Sequence, residues 1–292
     1  MSVTSPGTGT DAGPTMRAQA WRIFRRNRVS TIGLAILLGL VLFAVLGSML
    51  SPFPPGSTRA GAPMQAPSWT HLMGTDELGR DIFSRVIVGV RTSLIVGLAA
   101  AAIATFVGVV IGAIAGYFTG LLDDVLMRIT EIFQVIPRFF LAVVLVALFG
   151  TSLVNIVLAI ALLSWPELAR LVRAEFLTLR SRQFVDSARV VGAGKATIIF
   201  IEILPNALGP VIVNATLQVG QAMLLEAGLS YLGLGDPSQI SLGLMLHQAQ
   251  QIMRTAWWAT AFPGLMLALA VLAINLVGDG LNDVLSPRSR ER

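Results

Sequence analysis

Long apolar runs separated by short polar ones set the pattern of this 292-residue chain. A helix needs about 20 apolar residues to cross a bilayer. Six runs of that order fall at Val29–Leu50, Thr92–Tyr117, Val125–Phe149, Leu153–Leu171, Ala207–Ala227 and Trp257–Val277. The pattern predicts an all-α polytopic membrane protein with six transmembrane helices. Ser51-Pro52-Phe53-Pro54-Pro55 closes the first span, which is too long for the apolar core of a secretory signal and reads as an uncleaved anchor.

The polar segments divide the rest. Residues 1–15, rich in Ser, Thr, Gly and Pro, read as a disordered tail. Residues 16–28 are basic and carry Trp21, Ile23 and Phe24, which suits an interfacial segment. After the span over 29–50 comes an extracytoplasmic loop over 51–91. A membrane domain follows over 92–280, and residues 281–292 form a second tail.

Composition narrows the class. The chain is 54% hydrophobic and 13% charged, about half the charge that clothes a soluble domain, which excludes a large soluble enzyme. Cysteine is absent, so disulfides, thiol nucleophiles and thiolate metal sites are excluded. His71 and His247 lie far apart in no ligand spacing, and no metal site is expected. Of the 21 basic residues, 15 fall before Val29, near Asp123–Arg128, between Arg170 and Pro205, and after Asp279. Counted this way, the net charge of +5 marks cytoplasmic flanks rather than nucleic acid, and predicts both termini in the cytoplasm.

Several intramembrane residues are candidates for more than packing. Gly108, Gly112, Gly116 and Gly120 recur every four residues, so they share a helix face that admits another backbone closely, as a packing stripe. Arg138 follows Pro137 inside the third span, about 14 Å deep if the helix is continuous from Ile129. Glu131 lies two turns before it, with Arg128 beyond. Glu226 ends the fifth span. Charges at such depth are costly, so Glu131, Arg138 and Glu226 are translocation-path candidates. Snorkelling of Arg138 and helix pairing by Glu226 are the alternatives.

The stretch from Arg170 to Pro205 is the most patterned polar segment. Phe184, Ala188 and Val191 step i, i+4, i+7 along one face of a short helix. Asp186 sits near its start, and Arg189 is placed for an i, i+3 pair. Gly192-Ala193-Gly194 then breaks the helix. Such an element suits docking into a groove of a soluble partner, or else a position among lipid headgroups. Gly192-Ala193-Gly194-Lys195-Ala196-Thr197 is no phosphate loop. That motif needs Gly at 189 and Ser or Thr at 196, where Arg189 and Ala196 stand.

Asp186-Ser187-Ala188, then Gly192, then Leu204-Pro205 resembles the EAA-x3-G-x9-I-x-LP loop of bacterial ABC importer permeases. Asp replaces the usual Glu, Ser the middle Ala, and Glu202 the usual Ile. The run His71-Leu72-Met73-Gly74-Thr75-Asp76 with Gly79-Arg80-Asp81 and Ser84-Arg85 resembles an outer-loop signature of the oligopeptide, dipeptide and nickel importers, in their C-type subunit. Leu225-Glu226-Ala227, Leu229 through Gly235, Asn275 through Leu281, and the basic run Arg25-Arg26-Asn27-Arg28 are similar to the same subfamily. The resemblance spans about residues 17–288.

That resemblance implies a type I ABC importer permease fold in a bacterial cytoplasmic membrane. It implies a second, B-type permease beside this chain, two ATPases beneath, which bind ATP and Mg themselves, and an extracytoplasmic solute-binding protein above. No cofactor is expected in this chain, and it is expected to be a non-catalytic subunit. The coupling loop over 172–205 would hold the ATPase through Phe184, Asp186, Ser187, Ala188, Arg189, Gly192, Leu204 and Pro205. Asp76, Arg80, Asp81 and Arg85 would be contacts for the binding protein or a cap on the outer mouth. The cargo class is a di- or oligopeptide or a related small solute. The competing class is an ion-coupled secondary transporter built on Glu131, Arg138 and Glu226.

Overall fold

The computed structural model describes residues 24–25 and 27–285. The tail over 1–15, most of the basic segment over 16–28 and the end of the second tail lie outside the described residues.

Nine helices carry the fold among the described residues: α1 Arg28–Leu50, α2 Ile82–Phe118, α3 Leu121–Val135, α4 Arg138–Phe149, α5 Leu153–Arg180, α6 Gln183–Val190, α7 Leu204–Leu229, α8 Leu242–Ala249 and α9 Trp258–Leu285. Short polar side chains start several of them. The Asn27 side chain accepts from the Val29 and Ser30 N–H groups. Asp81 accepts from Ser84 N, and Ser152 from Asn155 N. Each satisfies donors that a helix start leaves free.

Helices α1, α2, α5 and α9 are long and apolar enough to cross a membrane, as is the helical run Lys195–Leu234 that contains α7 and kinks at Gly233. The third expected span differs. Instead of one helix over Val125–Phe149, α3 and α4 meet at a bend of 88°. Pro137 is the cause, because its ring drives the preceding residue out of helical geometry. Ile136 accordingly lies at φ −86°, ψ 131°, and Pro137 donates no N–H to carry the helix across.

Asn27 Nδ2 donates to Asp283 Oδ2 across 2.8 Å, so α1 begins where α9 ends. An even number of crossings is required, which the bent α3–α4 pair supplies as the sixth. Among the described residues the fold is thus an all-helical bundle of five membrane-length helices with the bent pair as a sixth span.

Three large apolar clusters, and a small one of Ala104, Trp165 and Ala169 between α2 and α5, hold the described residues together. One joins α1, α2, α7, α8 and α9 around Val86, Met223, Leu242 and Ala270. A second joins α2, α4, α5 and α7 around Val96, Val146, Ile160 and Leu229. A third lies at the end of the bundle that carries α6, around Phe176, Val185, Ile198 and Ile203.

Candidate functional site: the α6 lever and the polar residues within the bundle

Helix α6 is attached to the bundle chiefly through one fully buried side chain. Val185 is fully buried in the cluster formed by Tyr117 of α2, Phe176 of α5, and Ile198 and Ile203 before α7. Ala188, one turn on, is half-buried against the same cluster. The expected stripe of Phe184, Ala188 and Val191 is therefore split. Ala188 turns inward with Val185, while Phe184 and Val191 stay on the surface, Val191 at 87% exposure. Sequence reading missed Val185, although its i, i+3 spacing to Ala188 was the available signal.

Gly192 ends α6 by geometry only glycine adopts readily. It sits at φ +85°, its N–H donates to the Arg189 carbonyl, and Ala193 N–H donates to the Ala188 carbonyl, both at 3.0 Å. These are the paired 5→2 and 6→1 bonds of a Schellman cap. Asp186 takes a 2.9 Å bond from Arg189, with both side chains exposed, and Ser187 is exposed beside them.

Beyond Lys195–Thr197 the helix widens into a π segment over Ile198–Ile203. Leu204 N–H donates to the Ile199 carbonyl, five residues back. Pro205, at the start of α7, has no N–H to give. Asn206 Nδ2 donates to the Glu202 carbonyl at 2.7 Å in the same turn. Leu204 and Pro205 thus mark where the α6 connection becomes a rigid span.

The glycine stripe faces α5 over three of its four positions. A Cβ at Gly108 would meet Leu168 and the Trp165 carbonyl, one at Gly112 the Ala169 carbonyl and Val172, and one at Gly116 Phe176 and the Arg173 carbonyl. Gly120 lies outside this contact, with open space around it. It turns the chain between α2 and α3 at φ +69°, a correction to the four-residue stripe. The helix has ended at Phe118, so the periodicity no longer applies.

The path candidates scatter. Glu131 lies on α3 before the bend and pairs with Arg128 at 3.0 Å, both highly exposed. Arg138 opens α4, past the bend, so the two no longer share a helix face. Its Nη2 donates to Glu167 Oε2 of α5 at 3.0 Å, and its Nη1 to Gln221 Oε1 of α7 at 3.4 Å. Glu167 was missed by sequence reading, because only the bend brings α4 against the middle of α5.

Glu226 is 1% exposed. Ser230 Oγ donates to one carboxylate oxygen at 2.7 Å, and Ser93 Oγ of α2 lies 3.5 Å from the other. Ser93 Oγ also accepts from Leu242 N at the start of α8. Glu226 is thus a junction of α2, α7 and α8 rather than a path-lining group. A buried carboxylate needs such partners, and the serines supply them from within the chain.

The four outer-loop candidates are interior as well. Asp76 Oδ1 accepts from Leu78 N and Arg80 N at 2.9 Å each, and Oδ2 from Arg80 Nε at 2.5 Å. Arg80 and Arg85 both donate to Gln248 Oε1 in the last turn of α8, at 3.2 and 2.6 Å. Asp81 Oδ1 meets His71 Nδ1 at 2.9 Å while its Oδ2 caps α2. Asp76, Asp81 and Arg85 are buried. The expectation of a contact surface for a binding protein is corrected: these charges neutralise one another and pin the loop over 51–81 to α2 and α8.

A bundle of helices long and apolar enough to cross a membrane, with a short, exposed amphipathic helix packed at one end, defines a polytopic membrane protein. The sequence matches the family described as "Binding-protein-dependent transport system inner membrane component" over residues 108–291. It also matches "N-terminal TM domain of oligopeptide transport permease C" over residues 15–67.

The chain is 39% identical to the "Di/tripeptide transport system permease protein DppC" of Pseudomonas aeruginosa, over 94% of this chain and 93% of the relative. It is 38% identical to the "Dipeptide transport system permease protein DppC" of Haemophilus influenzae, over 97% and 98%. The fold is similar to a chain of the MetNI methionine ABC transporter in an inward-facing conformation. That likeness has TM-score 0.58 and 20% identity, and covers 69% of this chain and 96% of that one.

The chain belongs to the family of binding-protein-dependent transport system inner membrane components. It is a multi-pass permease subunit of an ABC importer and not an enzyme in its own right. The ion-coupled reading is not supported, and Glu131, Arg138 and Glu226 form no common site.

Proposed function

We propose that this chain is one of two permeases forming the path of a peptide importer in a bacterial cytoplasmic membrane, with both termini inside. A B-type permease, two ATPases that bind ATP and Mg, and an extracytoplasmic solute-binding protein complete the assembly. The names of the relatives from Pseudomonas aeruginosa and Haemophilus influenzae support di- or tripeptides as cargo. The inward termini rest on the basic residues clustered from Arg170 to Lys195 at the α6 end.

The observation that carries the mechanism is the anchoring of α6. Val185 fixes its inner face to the ends of α2, α5 and α7, and Phe184, Asp186, Ser187 and Val191 stand free on the other side. A force applied there by a closing ATPase pair is transmitted as a rigid-body displacement, because packed interfaces switch between discrete arrangements rather than deform. ATP binding then biases the bundle between inward- and outward-open states. Asp186 offers a charge-assisted contact to a basic ATPase side chain.

Reconstitution of the complete complex tests this. Asp186→Arg and Gly192→Val should each leave membrane insertion intact while uncoupling ATP hydrolysis from peptide uptake. Wild-type coupled uptake in both variants would sink the reading.

A further inference from the structure

Glu167 stands at the middle of α5, about 20 Å from either end at a rise of about 1.5 Å per residue. Its pair with Arg138 therefore lies about 20 Å in from the start of the span at Leu153 and about one turn short of its end near Leu171, within the membrane-spanning part of the bundle. The pair is not buried: the two side chains retain 37% exposure at Arg138 and 41% at Glu167 on the surface of this chain. Gln221 beside them is exposed too. Hydrocarbon is an unsuitable neighbour for an ion pair this open, because intramembrane charges face a bundle interior or a water-filled cavity.

The surroundings are polar in depth. One turn before Glu167 on α5 is Ser164, and one turn before Gln221 on α7 is Gln218, both buried. Gln218 Nε2 approaches the Ser164 carbonyl at 3.4 Å, and its Oε1 is a buried acceptor with no partner among the described residues. The guanidinium commits two N–H groups, one to Glu167 and one to Gln221, out of the five it carries. The face thus presents one cation, one anion and amides, with no net charge. A lone anion or cation resting there would leave a charge uncompensated in a poorly hydrated place. A zwitterion would not.

We infer that Arg138, Glu167 and Gln221 form an intramembrane station, toward the inner end of the fourth span, for the charged ends of a peptide in transit. The guanidinium takes the α-carboxylate in the planar geometry it matches, and Glu167 takes the α-ammonium. The cargo exchanges the internal ion pair for two external ones, so the station releases it as readily as it binds. This rests on the peptide reading above.

The test uses the complete complex in liposomes with its loaded binding protein and a labelled zwitterionic tripeptide. The double variant R138Q/E167Q removes both charges and leaves neither unpaired. It should assemble with an unchanged thermal midpoint and keep ATPase stimulation by the loaded binding protein. Peptide imported per ATP should fall at least about tenfold, the loss expected for a charged hydrogen bond.

A photo-crosslinking residue at position 221 in the otherwise native complex should capture the peptide only during ATP turnover, which keeps the inference testable should the double variant fail to assemble. Unchanged import per ATP in the double variant, or capture at 221 of only lipid or the second permease, would overturn the inference and leave the pair as a structural tether. Wild-type vesicles that import no peptide would overturn the peptide reading itself, and this inference with it.

Discussion

Arg173 of α5 holds Asp123 of α3 with both ends of one fork, its Nε 2.5 Å and its Nη2 2.7 Å from the two carboxylate oxygens. Asp123 is buried, whereas the Arg173 side chain is 35% exposed. The pair fastens the half of the broken span that has no fully buried apolar side chain, its Phe133 packing against Trp165 only partly buried. Of the fifteen α3 residues, only Asp123 and Thr130 are buried. Replacing Arg173 by Lys keeps the charge but loses the planar two-bond geometry. R173K should lower the stability of the complex by about 1–2 kcal/mol after allowance for solvent screening, read as a drop in thermal midpoint. An unchanged midpoint would mean that α3 is held by other means.

The α2–α5 contact makes a sharper prediction about glycine. At Gly112 a Cβ would run into the Ala169 carbonyl and stand 2.7 Å from Val172 Cβ. Backbone cannot turn aside as a side chain can. Gly112→Ala should cost about 1–3 kcal/mol by overpacking. Gly39, in the middle of α1 with nothing within 4 Å of its Cβ position, is the control: Gly39→Ala should leave the midpoint unchanged or raise it. Equal effects from the two changes would contradict the close approach.

Val185 gives a test of the lever that touches no exposed α6 residue. Val185→Ala leaves a cavity under the helix and should cost about 1–3 kcal/mol locally. Amide exchange over residues 183–193 should quicken, and uptake per ATP should fall while ATPase activity persists. Ser187→Ala, on the exposed side, should leave exchange as it was. Unaltered protection in Val185→Ala would show that α6 is anchored elsewhere.

The loop over 51–81 is predicted to behave as part of the core. Asp76→Asn takes away the carboxylate bonded to Arg80, 3.9 Å from Arg85. The Arg85 side chain is 4% exposed, so a buried cation is left poorly compensated, and losses of about 3–5 kcal/mol follow such changes. Protease added from the outer side should cut the loop in the variant and spare the wild type. Resistance equal to wild type would show that Gln248 alone satisfies both arginines.

How much of this was legible in the chain differs from element to element. The spans were, since about 20 apolar residues can do little else than cross a bilayer. The short helix at 183–190 was legible from its spacing, and its glycine stop from the want of any better residue for a positive φ. The break at Pro137 carried a signal in the proline, yet nothing local specified a bend of 88°. The charges Asp76, Arg80, Asp81 and Arg85 read as surface because charged residues are rarely buried unpaired. Their partners lie up to 168 residues away in sequence, beyond the reach of local pattern.

Sequence by itself thus determined the membrane class, the apolar runs, the short helix over 183–190 and the family resemblance, all set by periodicity, apolar length or residue type at short range. Tertiary structure alone decided which charges are internal struts and which stand open. Arg138 meets Glu167 only because the broken third span folds back on α5. Glu226 is silenced only because Ser93 and Ser230 reach it from another helix and the next turn. Those outcomes depend on distances between segments remote in the chain, which helix packing fixes and local composition does not encode.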